Sequence, residues 1–259
     1  MMTSSESVLT TQARVLGALI LRDMRTRFGR SHWGFLIAVG WPFAHIFIIV
    51  GIMVFRGLPT PLGHSVTLFV ATGLIPYIGF MYMSRKMMES FSINKPLLYF
   101  PQVKSLDIMI SRSILEIITF MGSSAICLAF LLAIGIDALP VRPFEAASAF
   151  CAIILFSIGV GSLNACVQAF FPGYMMAYVL VIIAMYSLSG VFYVPEFLPQ
   201  QIFDVLSWNP MLHCIIWFRS SFYPGYGIGV DKSYVLMSGI TCLAVGLLLD
   251  RFVVRRYGQ

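Results

Sequence analysis

PEFLPQQIFDVLSWNPMLHCIIWFRSSFYPG, residues 195–225, is the stretch whose reading decides the fold. It is apolar enough to avoid water, yet it carries Glu196, Asp204, His213 and Arg219, and Pro195, Pro199, Pro210 and Pro224 cut it into short pieces. Crossing the bilayer, lying on it, or entering and returning on one side give three different topologies, and the flanking sequence separates them.

The chain has 259 residues, 59% of them hydrophobic and 11% charged. A soluble domain carries roughly 25% charged residues, so this composition belongs in lipid. A helix needs about 20 mostly apolar residues to cross the hydrocarbon core. Six stretches meet that need: 33–55, 65–84, 113–136, 146–171, 174–194 and 234–250. The last relies on its flanking residues snorkelling to the interface. No short apolar segment with an A-x-A-like site precedes residue 33, so the first span is expected to be an uncleaved anchor. Cys127, Cys151, Cys166 and Cys242 fall within spans and Cys214 within 195–225. Without a CxxC or metal-ligand spacing, they read as small apolar packing residues.

Basic residues set the orientation. Arg14, Arg22, Arg25, Arg27 and Arg30 precede the first span. Arg85, Lys86, Lys95, Lys104 and Arg112 surround the loop after the second, and Arg251, Arg255 and Arg256 follow the last. Of the 17 basic residues, only Arg56, Arg142, Arg219 and Lys232 lie elsewhere. With six spans the three basic regions share one side, and both termini are cytoplasmic. A seventh crossing by 195–225 would put Arg251, Arg255 and Arg256 outside, against the rule. The segment therefore leaves from and returns to the outer face. Its proline-bounded pieces suit a re-entrant helix pair, with Asn209-Pro210 at the turn, because a residue before proline resists the helical region. Two amphipathic helices lying flat on the outer leaflet are the alternative.

On the cytoplasmic side, residues 8–30 read as an interfacial helix. Leu9, Ala13, Leu16, Ile20 and Met24 recur at helical spacing, and Arg14, Arg22 and Arg25 lie opposite. Such a basic amphipathic helix suits the anionic inner leaflet. The loop 85–107 mixes charge with the apolar groups Phe91, Ile93, Leu97, Leu98, Tyr99 and Phe100. It reads either as a docking surface for another protein or as a helix resting on headgroups. There is no GxxxxGK[ST] phosphate loop, HExxH, GxSxG or EF-hand loop, and His32, His45, His64 and His213 are scattered. The sequence offers little for catalysis and no nucleic-acid-binding pattern.

Four segments, in order, resemble the polysaccharide-export permeases, the membrane subunits of type-2 ATP-binding cassette exporters. They are LRDMRTRFGRSHWGFLIAVGWPFAHI (21–46), FVATGLIPYIGF (69–80, with Gly73 and Pro76), SINKPLLYFPQVKSLDI (92–108, with Asn94, Leu97, Pro101 and Leu106) and GVFYVPEFLPQQIFDVLSWNPMLHCIIWFR (190–219, with Pro199, Asn209-Pro210 and Arg219). The short loops are most similar to the capsular-polysaccharide branch. The resemblance implies an all-α integral membrane permease in the bacterial inner membrane, working as a homodimer with two ATPase subunits that bind ATP and Mg. No cofactor is expected in this chain. It implies a coupling helix in 85–107, with Glu89, Phe91, Ile93, Asn94, Lys95, Leu97, Tyr99, Phe100 and Pro101 as docking residues. It implies a re-entrant pair at the channel exit, with Trp208, Asn209, Pro210, Trp217 and Arg219. The cargo would be a lipid-linked, acidic polysaccharide, handed on to periplasmic and outer-membrane export proteins.

Sugars present flat C–H faces and hydroxyls, which aromatic rings and tyrosine hydroxyls suit. Tyr178, Tyr186, Ser189 and Tyr193 share one face of the fifth span, and with Tyr77 they are the candidate channel lining; helix packing is the alternative. Arg22, Arg25, Arg27, Arg30 and Trp33, where a basic surface meets the bilayer, are the candidate admission site for the lipid-linked end. Arg219 either pairs with Asp204 or Glu196, snorkels to headgroups, or guides an acidic polymer. Glu116 is expected to pair with Arg112 one turn away. The same architecture could export O-antigen, teichoic acid or a drug. A membrane enzyme acting on a lipid-linked substrate, or an ion-coupled transporter, would need titratable clusters that the sequence does not show.

Overall fold

The structure is a computed structural model that describes residues 5–28, 32–57, 59–100, 102–227 and 229–254. Ten α-helices are described: α1 (Ser5–Phe28), α2 (His32–Phe55), α3 (Val66–Met88), α4 (Ser90–Asn94), α5 (Ser105–Ala133), α6 (Pro143–Phe170), α7 (Tyr174–Leu188), α8 (Gln200–Leu206), α9 (Pro210–Ser220) and α10 (Lys232–Leu249). Short 3-10 turns occupy Lys95–Tyr99 and Pro195–Phe197.

Among the described residues, five helical stretches are long and apolar enough to cross a bilayer: Leu36–Phe55, Val66–Met88, Ser105–Ala133, Pro143–Phe170 and Lys232–Phe252. The stretch expected to span at 174–194 holds the 15-residue helix α7. At 1.5 Å per residue that is about 22 Å, short of the roughly 30 Å hydrocarbon core. The chain turns after Leu188, and Gly190, with φ of 74°, supplies the conformation that a side chain would resist.

Helix α3 is the axis of the bundle, buried from Phe69 continuously to Phe80. Its apolar sequence has no polar face because α2, α5, α6 and α9 surround it. Helices α6 and α10 approach closely where side chains are missing: a methyl at Gly159 would lie 2.5 Å from the Gly239 carbonyl oxygen. In lipid such close backbone approach replaces hydrophobic collapse as the source of helix association. Helix α2, by contrast, presents Leu36, Ile37, Trp41, Ile48, Ile52 and Phe55 outward.

Helix α1 lies against α5 and α2. Leu19 and Asp23 are its buried side chains, with Gln12, Val15, Leu16, Ile20 and Met24 half-buried, while Ala13 is exposed. Polar contacts fasten it to α5: Asp23 Oδ2 meets Arg112 Nη1 at 2.8 Å, and Gln12 Nε2 donates to Asp107 Oδ1.

Candidate functional site

The inner loop follows directly from α3. Glu89 lies beside Arg85 and Lys86 at 3.6 and 3.7 Å, a local charge cluster closing the helix end. Phe91 and Asn94 then turn inward and are buried, whereas Ile93, Lys95, Tyr99 and Phe100 face outward and Leu97 is half-buried. Tyr99 is 80% exposed. Asn94 Oδ1 accepts from Arg22 Nη1 at 2.6 Å, and its Nδ2 donates to the Ser90 carbonyl. Asn94 therefore ties the loop to α1, and Arg22, expected at an admission surface, joins it there. Arg25 is exposed. The side chains of Arg27 and Trp33, and residues Arg30 and Pro101, lie outside the described residues.

Behind this loop Arg112 links three helices. It reaches Asp23 on α1, donates from Nε to the Lys86 carbonyl on α3 at 3.0 Å, and lies 3.8 Å from Glu116. The expected local pair with Glu116 is present, whereas the shorter contact across 89 residues to Asp23 has no local pattern that announces it. The loop, α1 and the inner ends of α3 and α5 are thus one hydrogen-bonded unit.

At the other end of the bundle, 195–225 forms two unlike helices. Helix α8 exposes Phe197 in the preceding turn, then Ile202, Val205 and, just beyond its end, Trp208. Helix α9 is buried from Met211 to Ser220 against α3, α6 and α10. Asn209 caps it, accepting from the Met211 amide at 3.0 Å and donating to Ser189 Oγ at 2.9 Å. Pro210 takes the first helical position, where a missing N–H is harmless.

Both ends of α9 are fastened to helix ends that the charge pattern places outside. His213 contacts the Ser207 carbonyl at 2.9 Å and the Asp231 amide at 3.2 Å, beside the start of α10. Trp217 Nε1 donates to Glu145 at 2.7 Å, and Glu145 also holds Lys232 at 2.7 Å. The Arg142 amide donates to the Ser221 carbonyl at 3.0 Å. Helix α9 is therefore a cap across the ends of α3, α6 and α10.

Arg219 is fully buried, and its partners are carbonyl groups rather than Asp204 or Glu196. It donates to Gly190 at 3.0 Å, Val191 at 2.9 Å, Tyr193 at 3.3 Å and Phe69 at 3.4 Å, with its guanidinium 4.1 Å from the Phe69 ring. Asp204 instead accepts from Gln200. Non-helical backbone at membrane depth survives only where protein satisfies it. The broken end of α7 supplies such carbonyls, and Arg219 supplies five donors in a planar fork. Gly73 leaves the space: a methyl there would lie 2.6 Å from the Val191 carbonyl oxygen. Neighbouring Tyr223 is buried as well, which pushes its phenol up to about 12.

The tyrosine face of α7 turns toward α3. Tyr77 donates to the Ile182 carbonyl, and Tyr178 donates to Ser84 at 2.8 Å. Tyr186 packs 4.7 Å from the Tyr77 ring, with its hydroxyl buried and without a hydrogen-bond partner among the described residues. Ser189 is fully buried and donates to the Met185 carbonyl, and Tyr193 is half-buried. Among the described residues no group of three or more histidine, cysteine, aspartate or glutamate side chains is placed to hold a metal.

An all-helical bundle with five membrane-length spans among the described residues, a polar-locked loop after α3 and a cap of α9 at the opposite end defines a multi-pass integral membrane protein. No family model matches the chain. It is nonetheless a homologue, over nearly its whole length, of named bacterial inner-membrane export proteins. The polysialic acid transport protein KpsM of Escherichia coli is 28% identical over 249 residues, covering 95% of this chain and 96% of that protein. The capsule polysaccharide export inner-membrane protein CtrC of Neisseria meningitidis serogroup B is 28% identical, with 95% and 94% covered. The protein of the same description from Haemophilus influenzae, BexB, is 26% identical over the same shares.

Proposed function

We propose that the chain is the membrane subunit of an ATP-driven exporter that moves a lipid-linked capsular polysaccharide from the cytoplasm across the bacterial inner membrane. The carrying observation is the whole-length relationship to three capsule or polysialic acid export proteins. In this proposal the chain crosses six times, with α7 and its turn as the short crossing, and both termini are cytoplasmic. Two copies enclose the polymer path, and each engages a separate ATPase subunit.

Tyr99, Phe100 and Ile93 are the docking groups, because they are the exposed apolar side chains of the inner loop. Movement there reaches α1 through Asn94–Arg22 and α5 through Arg112, so a push on the loop is a push on a bonded unit rather than on a slack connection. Exposed Arg25, with Arg27, Arg30 and Trp33 beyond it, receives the lipid-linked end. Tyr186, whose hydroxyl has no partner among the described residues, meets the sugar when α7 and α3 part; Tyr77 and Tyr178 act as packing in the closed state.

Purification of the tagged chain from its own cells in mild detergent, followed by mass spectrometry, tests the reading. A stoichiometric partner carrying a GxxxxGK[ST] loop supports it. A chain that arrives alone, under conditions that hold known transporters together, removes its energy source.

A further inference from the structure

Helix α2 does not close fully on α3 and α5. Near the inner end of the bundle a cavity of about 430 Å³ is lined by Trp41, Pro42, Tyr82, Lys86, Glu116 and Thr119. Further along α2, a second cavity of about 370 Å³ is lined almost entirely by apolar groups, among them Phe43, Phe47, Val50 and Leu131. A third, small cavity shares Pro42, Tyr82, Glu116 and Thr119 with the first and Ile46 with the second. These shared walls align the cavities along α2 as a groove with a polar end and an apolar shaft.

We propose that this groove holds a phospholipid of the inner leaflet, with its phosphate on Lys86 and one acyl chain along the shaft. Three observations select that occupant. Lys86 is 40% exposed, so its ammonium is open to a ligand despite its contact with Glu89. Trp41 and Tyr82 flank it, as amphipathic rings do at headgroup level. From Phe43 to Phe55 the shaft runs about 18 Å along the helix, close to the roughly 15 Å half-thickness of a hydrocarbon core. An apolar shaft of this size does not hold water. Of the two carboxylates near the polar end, Glu89 lies 3.7 Å from Lys86 and Glu116 lies 3.8 Å from Arg112. The inference rests on the proposed topology for the side on which Lys86 lies and is independent of what the chain exports.

Gly51 lines the shaft, and a Cβ built on it meets nothing within 4 Å. Gly51→Leu therefore places a branched side chain in the shaft from a position with room for its Cβ, and Lys86→Gln removes the phosphate partner. The intact complex is exposed to long-chain phosphatidylglycerol, to the diacylglycerol with the same chains, and to short-chain phosphatidylglycerol, and retention is read by native mass spectrometry. One long-chain phosphatidylglycerol per chain is expected to survive. Loss of the charge-assisted contact, in the diacylglycerol or in K86Q, weakens retention about tenfold. The short-chain lipid, and the long-chain lipid on G51L, are likewise lost. Equal retention by wild type, K86Q and G51L overturns the proposal. So does displacement by an equimolar lipid-linked polymer, which would make the groove a substrate site. Cross-linking of two Gly51→Cys chains through the groove, which would make it a dimer seam, overturns it too. Variants are compared only when their helicity and elution volume match wild type, and export activity is not the readout.

Discussion

Arg219 acts as a buried staple for a broken helix end. A guanidinium in the protein interior is expensive unless most of its donors are used, and here four carbonyl groups use them. Arg219→Ala strands the Gly190 and Val191 carbonyls without water, so a loss of about 3–5 kcal/mol is expected. Arg219→Lys recovers only part, since an ammonium cannot span the same fork. Gly73→Ala attacks the same joint from the other side and costs about 1–3 kcal/mol through overpacking. Thermal unfolding in detergent with a tryptophan fluorescence readout checks all three. Unchanged stability of R219A would show that α9 holds the α7 turn by apolar packing alone. Sequence made this residue conspicuous, because an arginine among tryptophan and phenylalanine demands a partner. It could not name the partner, because backbone carbonyls carry no signature in sequence.

Among the elements, α1 and the inner loop behave as one body. Asp23→Ala deletes a charge-assisted hydrogen bond between buried side chains and is expected to loosen α1 by about 1.5–3 kcal/mol. Limited proteolysis should then cut within α1 faster, with α6 and α10 untouched. The exposed end of the loop makes the opposite prediction. The Tyr99→Ala, Phe100→Ala double variant removes two outward aromatic side chains that touch little of their own chain, so its unfolding temperature should hold while ATPase co-purification falls at least about tenfold. A variant that unfolds instead would make the loop structural. Periodicity located α1 but not the contacts that tie it to α5. A hydrophobic stripe reports where apolar groups are, whereas these contacts join Asp23 and Gln12 to residues that are distant in sequence.

For the whole molecule, the arrangement divides labour between a bonded inner unit, a continuous buried axis in α3 and a fixed outer cap. Exposed Arg25 belongs to none of the locks described for α1, so Arg25→Glu should reduce polymer export several-fold and leave ATPase co-purification unchanged. Equal loss of both would place Arg25 in docking instead. Single cysteines placed at His64 and at Tyr99 should react with an impermeant maleimide from opposite sides of a sealed membrane. Labelling from the same side would refute the six-crossing topology.

Sequence alone places this chain in a bilayer, makes it helical and says which side its basic residues favour. Those conclusions depend on composition, run length and charge, which are sums over residues and survive ignorance of contacts. The resemblance to an export permease rests instead on four ordered segments, 21–46, 69–80, 92–108 and 190–219. Only the tertiary structure decided that α7 stops at Leu188, that α9 is a buried cap fastened at both ends, and that the tyrosines of α7 pack on α3. The reason is that hydrocarbon gives one apolar face no advantage over another. The choice of partner passes to small residues and to a few polar side chains, and these meet across distances that no local pattern encodes.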